Sequence, residues 1–213
     1  MPVVVAQQNW MQLCAHCTTT RSRQDDRIGT KCLNNGVSLF DLETGQDVGY
    51  LPVGYTLHPW FIPATGDLLT YSEQGLLRWP VSFTGVDPSL ATIGPPEKLP
   101  CEARYGTQVS SDHTGRIIAA AAGKMAVILH DFGQRVIVLD SLKDCRTIAV
   151  SPDGRWVVTA CHEKGPLDSW DADSGTLIRH LSDDLEERGV CFSPDSEYVA
   201  FNRLAGFTRR ARN

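Results

Sequence analysis

Three groups of residues in this chain are of types that do chemistry. Cys14-Ala15-His16-Cys17, with Cys32 downstream, sets two thiolates three residues apart, and a third Cys or a His could complete a tetrahedral zinc shell. Only one such pair occurs, so these cysteines read as incidental and neither a metal nor another cofactor is expected. Ser110, Ser111, Asp112 and His113, and later Cys161-His162-Glu163, supply nucleophile and base types. Neighbours along a strand point to opposite faces and rarely meet as a nucleophile–base pair, and no Gly-x-Ser-x-Gly elbow occurs. Asp112-His113 falls in a turn, which is a structural slot. The glycines form no phosphate loop of the Gly-x-x-x-x-Gly-Lys-Ser/Thr kind. Catalysis is therefore not expected, and binding is what remains. Residues 82–100 form the most distinctive surface, with Phe83, Asp87, Pro95, Pro96 and Lys98 giving the apolar and charged variety that docks a peptide or protein. A passive linker is the alternative reading. Trp60 and Tyr105 either join that surface or pack between sheets.

The elements that must carry these residues are repeats. Ser-Pro-Asp-Gly-Arg-Trp-Val-Val at 151–158 returns as Ser-Pro-Asp-Ser-Glu-Tyr-Val-Ala at 193–200, with fainter copies at 63–69 and 111–118. The turn residues Gly66, Gly115, Gly154 and Ser196 are 49, 39 and 42 residues apart. A second marker, Phe40-Asp41, Trp79-Pro80, His130-Asp131 and Trp170-Asp171, recurs after 39, 51 and 40. The longest interval of each marker spans the proline-rich residues 82–100, which therefore read as an inserted loop. Two markers sharing one period mean stacked copies of one β unit. Within a unit, Cys145–Val150 is a strand, and Pro152 and Gly154 suit the turn that follows. Arg155–Ala160, Leu167–Asp171 and Thr176–Leu181 then make a four-stranded meander. No window holds a helical period, so the fold class is all-β.

Units ending in Val-Ser-Leu-Phe-Asp (37–41), Leu-Leu-Arg-Trp-Pro (76–80) and Leu-Asp-Ser-Trp-Asp (167–171) resemble the WD-repeat β-propeller family. There the aromatic-Asp pair closes the third strand of a four-stranded antiparallel blade. Leu42-Glu43-Thr44-Gly45 and Ala172-Asp173-Ser174-Gly175 match that family's turn into the fourth strand. The resemblance covers residues 28–201, about four repeats, between an irregular leader at 1–27 and a basic tail at 202–213. It implies a β-propeller acting as a non-catalytic protein-interaction scaffold. The phrasing also resembles bacterial WD-repeat proteins, some of which are fused to a serine/threonine kinase; the alternative is the sensor or regulatory propeller of such a larger enzyme, its catalytic domain outside this chain. The chain departs from the family in opening no repeat with Gly-His, and Asn35, Gln74 and Lys164 stand where the family has a structural Asp. The blades are thus expected to lean on apolar packing rather than a buried polar network.

Propellers close with about 4–8 blades. The chain supplies three whole blades (56–99, 106–139, 145–181) and two partial ones (30–51, 188–201), which reads as part of a longer propeller, with a four-bladed ring as the alternative. A net charge of −5 and a pI near 5.6 argue against a nucleic-acid partner. No apolar run of spanning length occurs, so no membrane partner is expected. The opening residues lack the make-up of a secretion signal. Seven cysteines without framework spacing suit a reducing compartment, and a cytoplasmic location is expected.

Overall fold

The structure is a computed structural model and describes residues 3–5, 28–33, 35–42, 45–56, 59–83, 91–101, 108–140, 142–161, 165–185 and 187–203. Strands β1 (Val3–Val5), β2 (Ile28–Leu33), β3 (Gly36–Asp41), β4 (Asp47–Leu51), β5 (Trp60–Phe61), β6 (Leu68–Ser72) and β7 (Gly75–Trp79) come first. They are followed by β8 (Val81–Phe83), β9 (Ala91–Ile93), β10 (Glu97–Lys98), β11 (Val109–Ser111), β12 (Ile117–Ala121), β13 (Ala126–His130) and β14 (Arg135–Leu139). The last six are β15 (Cys145–Val150), β16 (Trp156–Cys161), β17 (Gly165–Asp171), β18 (Leu177–Leu185), β19 (Glu187–Phe192) and β20 (Val199–Arg203). Among the described residues there is no α-helix, only a 3-10 turn at Asp131–Gly133.

The strands sort into antiparallel meanders in chain order. The first sheet is β2-β3-β4, the second β5-β6-β7-β10, the third β11-β12-β13-β14 and the fourth β15-β16-β17-β18. The fifth pairs β19 with β20, to which β1 adds in parallel through Val3↔Val199. Val3–Val5 is thus a strand within the stretch expected to be an irregular leader. Residues 82–100 are not a plain loop either. Val81–Phe83 and Ala91–Ile93 pair as a separate hairpin, closed at its base by Gly94 N–H donating to Pro80 O at 2.8 Å. Glu97–Lys98 then becomes the second sheet's fourth strand, against Leu77 and Arg78. The β-formers flanking the prolines pair with each other, which a count of prolines hides.

Each middle sheet is buried on both faces, and alternation along its strands decides which neighbour each side chain meets. On β12, Ile118 and Ala120 pack with Ile62, Leu69, Tyr71 and Leu76 of the second sheet. Ile117, Ala119 and Ala121 pack with Ile148, Val150 and Val157 of the fourth. Val37 and Leu39 meet Leu68 and Leu77 between the first and second sheets. Val158, Ala160 and Leu167 meet Val190, Val199 and Phe201 between the fourth and fifth. Fully burying one such Ile, Leu or Val contributes about 1.5–3 kcal/mol. Apolar packing between sheets carries the stack, as expected from the missing Gly-His pairs.

The turns between first and second strands share one geometry. Ser151 Oγ accepts from Trp156 N–H at 2.9 Å and donates to Asp153 Oδ1 at 2.6 Å; Ser193 repeats this with Tyr198 N–H and Asp195. Neighbouring turns are also tied to each other. Ala64 N–H donates to His113 O at 3.0 Å, and His113 N–H to Pro152 O at 3.0 Å. Pro152 has no N–H, so the same bond cannot pass onward. The link moves one residue along, and Asp153 N–H donates to Ser196 Oγ at 3.1 Å. That accounts for a serine at φ 64 where Gly66, Gly115 and Gly154 hold φ 75, 76 and 75. Gly115 is required twice over, since a Cβ there would lie 2.4 Å from Ile62 Cγ2 of the preceding sheet.

Two outcomes follow in urea unfolding. Gly115→Ala combines left-handed strain with overpacking and is expected to lose about 3 kcal/mol. Gly45→Ala, at φ 70 with nothing within 4 Å of a new Cβ, should lose only about 1 kcal/mol; equal losses would show that close approach of the sheets is not what selects Gly115. Ser196→Ala keeps the strained φ and loses the hydroxyl, costing about 1 kcal/mol, whereas Ser196→Gly relieves strain and stays within about 0.5 kcal/mol. A neutral alanine variant would remove the hydroxyl link.

Candidate functional site

The second and fourth sheets act as controls for the third, which departs from them. At the end of the third strand, Trp79 Nε1 donates to Thr70 Oγ1 at 2.9 Å and Trp170 Nε1 to Thr159 Oγ1 at 2.9 Å. The threonine stands two residues beyond the tryptophan's cross-strand partner, Leu68 or Val157. In the third sheet the same two positions hold His130 and Ala119, since His130 faces Ile117. The indole–hydroxyl pin is missing there, and His130 turns to other partners.

The next departure is the following turn. Phe40 pairs with Asp47 and Trp170 with Leu177, seven residues on, but His130 pairs with Arg135, only five on. The shortened connection forces Asp131 to φ 46, Phe132 to φ 57 and Gly133 to φ 101. Non-glycine residues in this region cost about 1–2 kcal/mol each and persist where surroundings hold them. Phe132 is held under the Arg78 guanidinium, 3.8 Å from its ring centroid, and a Cβ on Gly133 would lie 2.2 Å from Pro100 Cγ. The shortening also sets Arg135 opposite His130.

These groups meet in an open cleft of about 700 Å³ between the third and fourth sheets, at their turn end. Its lining includes Asp112, Thr114, Arg116, His130, Asp131, Gln134, Arg135, Asp153, Gly154 and Asp173. His130 is buried, with Nε2 at 3.0 Å from Ala172 O. Arg135 Nη2 lies 3.0 Å from His130 Nδ1 and 3.2 Å from Nε2. The carbonyl can only accept, so Nε2 carries the hydrogen toward Ala172 O, and Nδ1 faces Arg135. Arg135 also pairs with Asp173. On the same sheet, Arg116 Nε donates to Asp131 Oδ1 at 2.8 Å and Nη2 to Oδ2 at 3.4 Å. Hydrogen bonding to Arg116 holds the Asp131 carboxyl below its ordinary value and raises Arg116 in turn. Asp171, behind the cleft, is lowered by hydrogen bonds from the Ser174 side chain and backbone.

Of the groups first considered for chemistry, Ser110, Ser111 and Asp112 are structural pins, while His162 and Glu163 fall outside the described residues. Ser110 Oγ accepts from Val150 N–H at 3.1 Å, and Ser111 Oγ from Trp60 Nε1 at 2.9 Å, which makes Trp60 a packing residue. Buried Asp112 accepts from Ile117 N–H at 2.9 Å and from Thr114. Cys161 is buried opposite Cys145, and burial pushes the Cys145 thiol far up, away from the reactive thiolate. The markers Trp79, Trp170 and Asp171 close third strands, Phe40 and Asp41 end the middle strand of the three-stranded first sheet, and Gly154 sits in its turn. Of the expected docking loop, Pro95 and Pro96 are exposed beside β10, which contains Lys98. Phe83 lies in β8, while its side chain, Asp87 and Tyr105 fall outside the described residues. So do Cys14, His16, Cys17 and the side chain of Cys32. Among the described residues no cluster of three His, Cys, Asp or Glu could hold a metal, and no helix is long and apolar enough to cross a membrane. The His130 cluster was legible in part, since His130-Asp131 stands out among the aromatic markers. No protein-family model matches the chain, and no curated protein matches it.

The Asp131 shift has a sign that can be tested. A carboxylate with a depressed folded-state pKa contributes stability that is present above the ordinary value and lost as pH falls through the folded one. In Arg116→Gln, the Asp131 midpoint followed by carboxyl NMR should climb back toward 3.8; an unmoved midpoint would acquit Arg116.

Proposed function

We propose that this chain is a non-catalytic protein-interaction module, its stacked sheets being blades of a WD-repeat type β-propeller. The observation that carries this reading is the convergence of the third repeat's departures on one open, charged cleft. His for Trp departs from the second and fourth sheets and the shortened turn from the first and fourth, and with Arg135 they line the same wall. Recognition is commonly placed on turns held by a rigid scaffold, and here packed sheets fix both walls. The nucleophilic side chains near the cleft are spent on backbone hydrogen bonds, which favours binding over catalysis. A protein or peptide is the partner, and the cysteine usage suits a reducing, cytoplasmic setting.

The test uses a charge-swapped double variant, Arg135→Asp with Asp173→Arg, which retains the internal ion pair while inverting what a partner meets. Proteins cross-linked to the purified chain should be lost in this variant and kept in Tyr50→Ala, an exposed position on the first sheet. A partner that survives the swap and is lost with Tyr50→Ala would move the interface elsewhere.

A further inference from the structure

We infer that β14 is a dimerisation edge: two copies of this chain pair their β14 strands antiparallel about a two-fold axis, joining two four-stranded sheets into one. The inference does not rest on the cleft. β14 ends the third sheet and, among the described residues, pairs only with β13. Its other edge carries a row of backbone donors and acceptors that a further strand can use. The last strands of the other sheets are each blunted. β10 is two residues long, Glu97 and Lys98, both exposed. β18 meets β17 with three register shifts and carries Arg179, His180, Asp183 and Asp184. β4 holds a register shift, and its Gly49 N–H is taken by Asp47 Oδ1 at 3.0 Å. β14 has none of these devices. Arg135–Leu139 faces Ala126–His130 in five consecutive pairs without a shift, and Val136, Ile137 and Val138 are β-branched residues in a row, a type that suits a pleated surface.

The strand is also held in place and complementary to itself. Ile137 and Leu139 pack on the fourth-sheet side, where a Cβ on Gly175 would lie 2.5 Å from Ile137 Cγ2, so the edge loses little further freedom on pairing. Val136 and Val138 point to the other face, 41% and 48% exposed. Backbone groups alternate between the two edges of a strand, so identical strands pair antiparallel about a residue rather than between residues. Centred on Ile137, the pairing sets Val136 opposite Val138 of the second copy, and Ile137 opposite its counterpart. Such β-branched cross-strand pairs stabilise a sheet. It also sets exposed Gln134 opposite exposed Asp140 at both ends, where an amide can donate to a carboxylate. The two Arg135 residues then stand about 13 Å apart along the strands, whereas parallel pairing would place these like charges opposite each other. A second copy thus meets valine with valine and carboxylate with amide, and the two-fold covers both edges at once, so assembly stops at two chains.

The experiment measures molar mass by light scattering over a concentration series of the full chain, which should rise from 23.4 kDa toward twice that value. Val136→Lys with Val138→Lys sets like charges opposite each other and should weaken the dimer roughly tenfold, as should Val136→Glu with Val138→Glu. Mixing these two variants in equal amounts should restore it. A chain carrying Val136→Lys with Val138→Glu should dimerise by itself, because each lysine then faces a glutamate across the axis. Both positions are exposed, and a thermal melt confirms that every variant folds. Restoration in the mixture but not in the lysine–glutamate chain would show parallel pairing and overturn the alignment. A dimer indifferent to the paired lysines, or a mass that stays at 23.4 kDa throughout, would overturn the inference. A cross-linked partner lost with the paired lysines while the chain itself stays monomeric would give the edge to a foreign strand instead of a second copy.

Discussion

Everything in this structure depends on sheets that are buried on both faces. A sheet with one wet face would show alternating polar and apolar residues, whereas β12 reads Ile-Ile-Ala-Ala-Ala and β13 Ala-Val-Ile-Leu-His. Each face serves a different neighbour, with Ile118 and Leu129 on one side and Ala119 and Ile128 on the other. No such sheet is stable alone, because removing a neighbour would expose half of its apolar side chains. Stability is therefore a property of adjacent pairs, as in other stacked repeats.

The spacing between sheets is set at their turns. Gly115 and Gly175 sit where a Cβ would run into Ile62 or Ile137 of the preceding sheet, so the turn backbones approach as closely as side chains allow. The backbone ties from Ala64 to His113 and from His113 to Pro152 then fix the register of one turn against the next. The change of donor at Pro152 shows the constraint at work. A residue that improves one turn by presetting φ removes an N–H that the stack uses, and a serine hydroxyl in the next turn takes over.

Much of this was legible in the sequence because periodicity survives even when individual residues drift. The marker pairs placed the third strands of three sheets and the middle strand of the first, and the all-β class followed from the lack of a helical period. The Val81–Ile93 hairpin was hidden because prolines at 88, 95, 96 and 100 dominate a local reading, while strand pairing across a turn is a non-local property. The cleft was less legible still. Arg116, Arg135, Asp153 and Asp173 lie up to 57 residues apart, and only the stacking of two sheets brings them to one cleft. What the sequence did display was the odd marker His130, whose significance depends on knowing that Trp79 and Trp170 are pinned by threonines and that Ala119 cannot pin a histidine.

The division of labour within the cleft follows from burial. His130 and Asp112 are buried and tied to backbone groups, so moving either would strand polar atoms at a cost of about 1–3 kcal/mol each. They form a fixed floor. The Arg116–Asp131 pair above them is 71% and 42% exposed, and solvent-screened pairs of this kind contribute little to stability. The fold does not need them. Charges that contribute so little to stability can be rearranged by an incoming ligand at small cost, while the floor beneath keeps its shape. A rigid base carrying adjustable charges is the combination that selective recognition of a partner requires, and the shortened turn after His130 is what sets one upon the other.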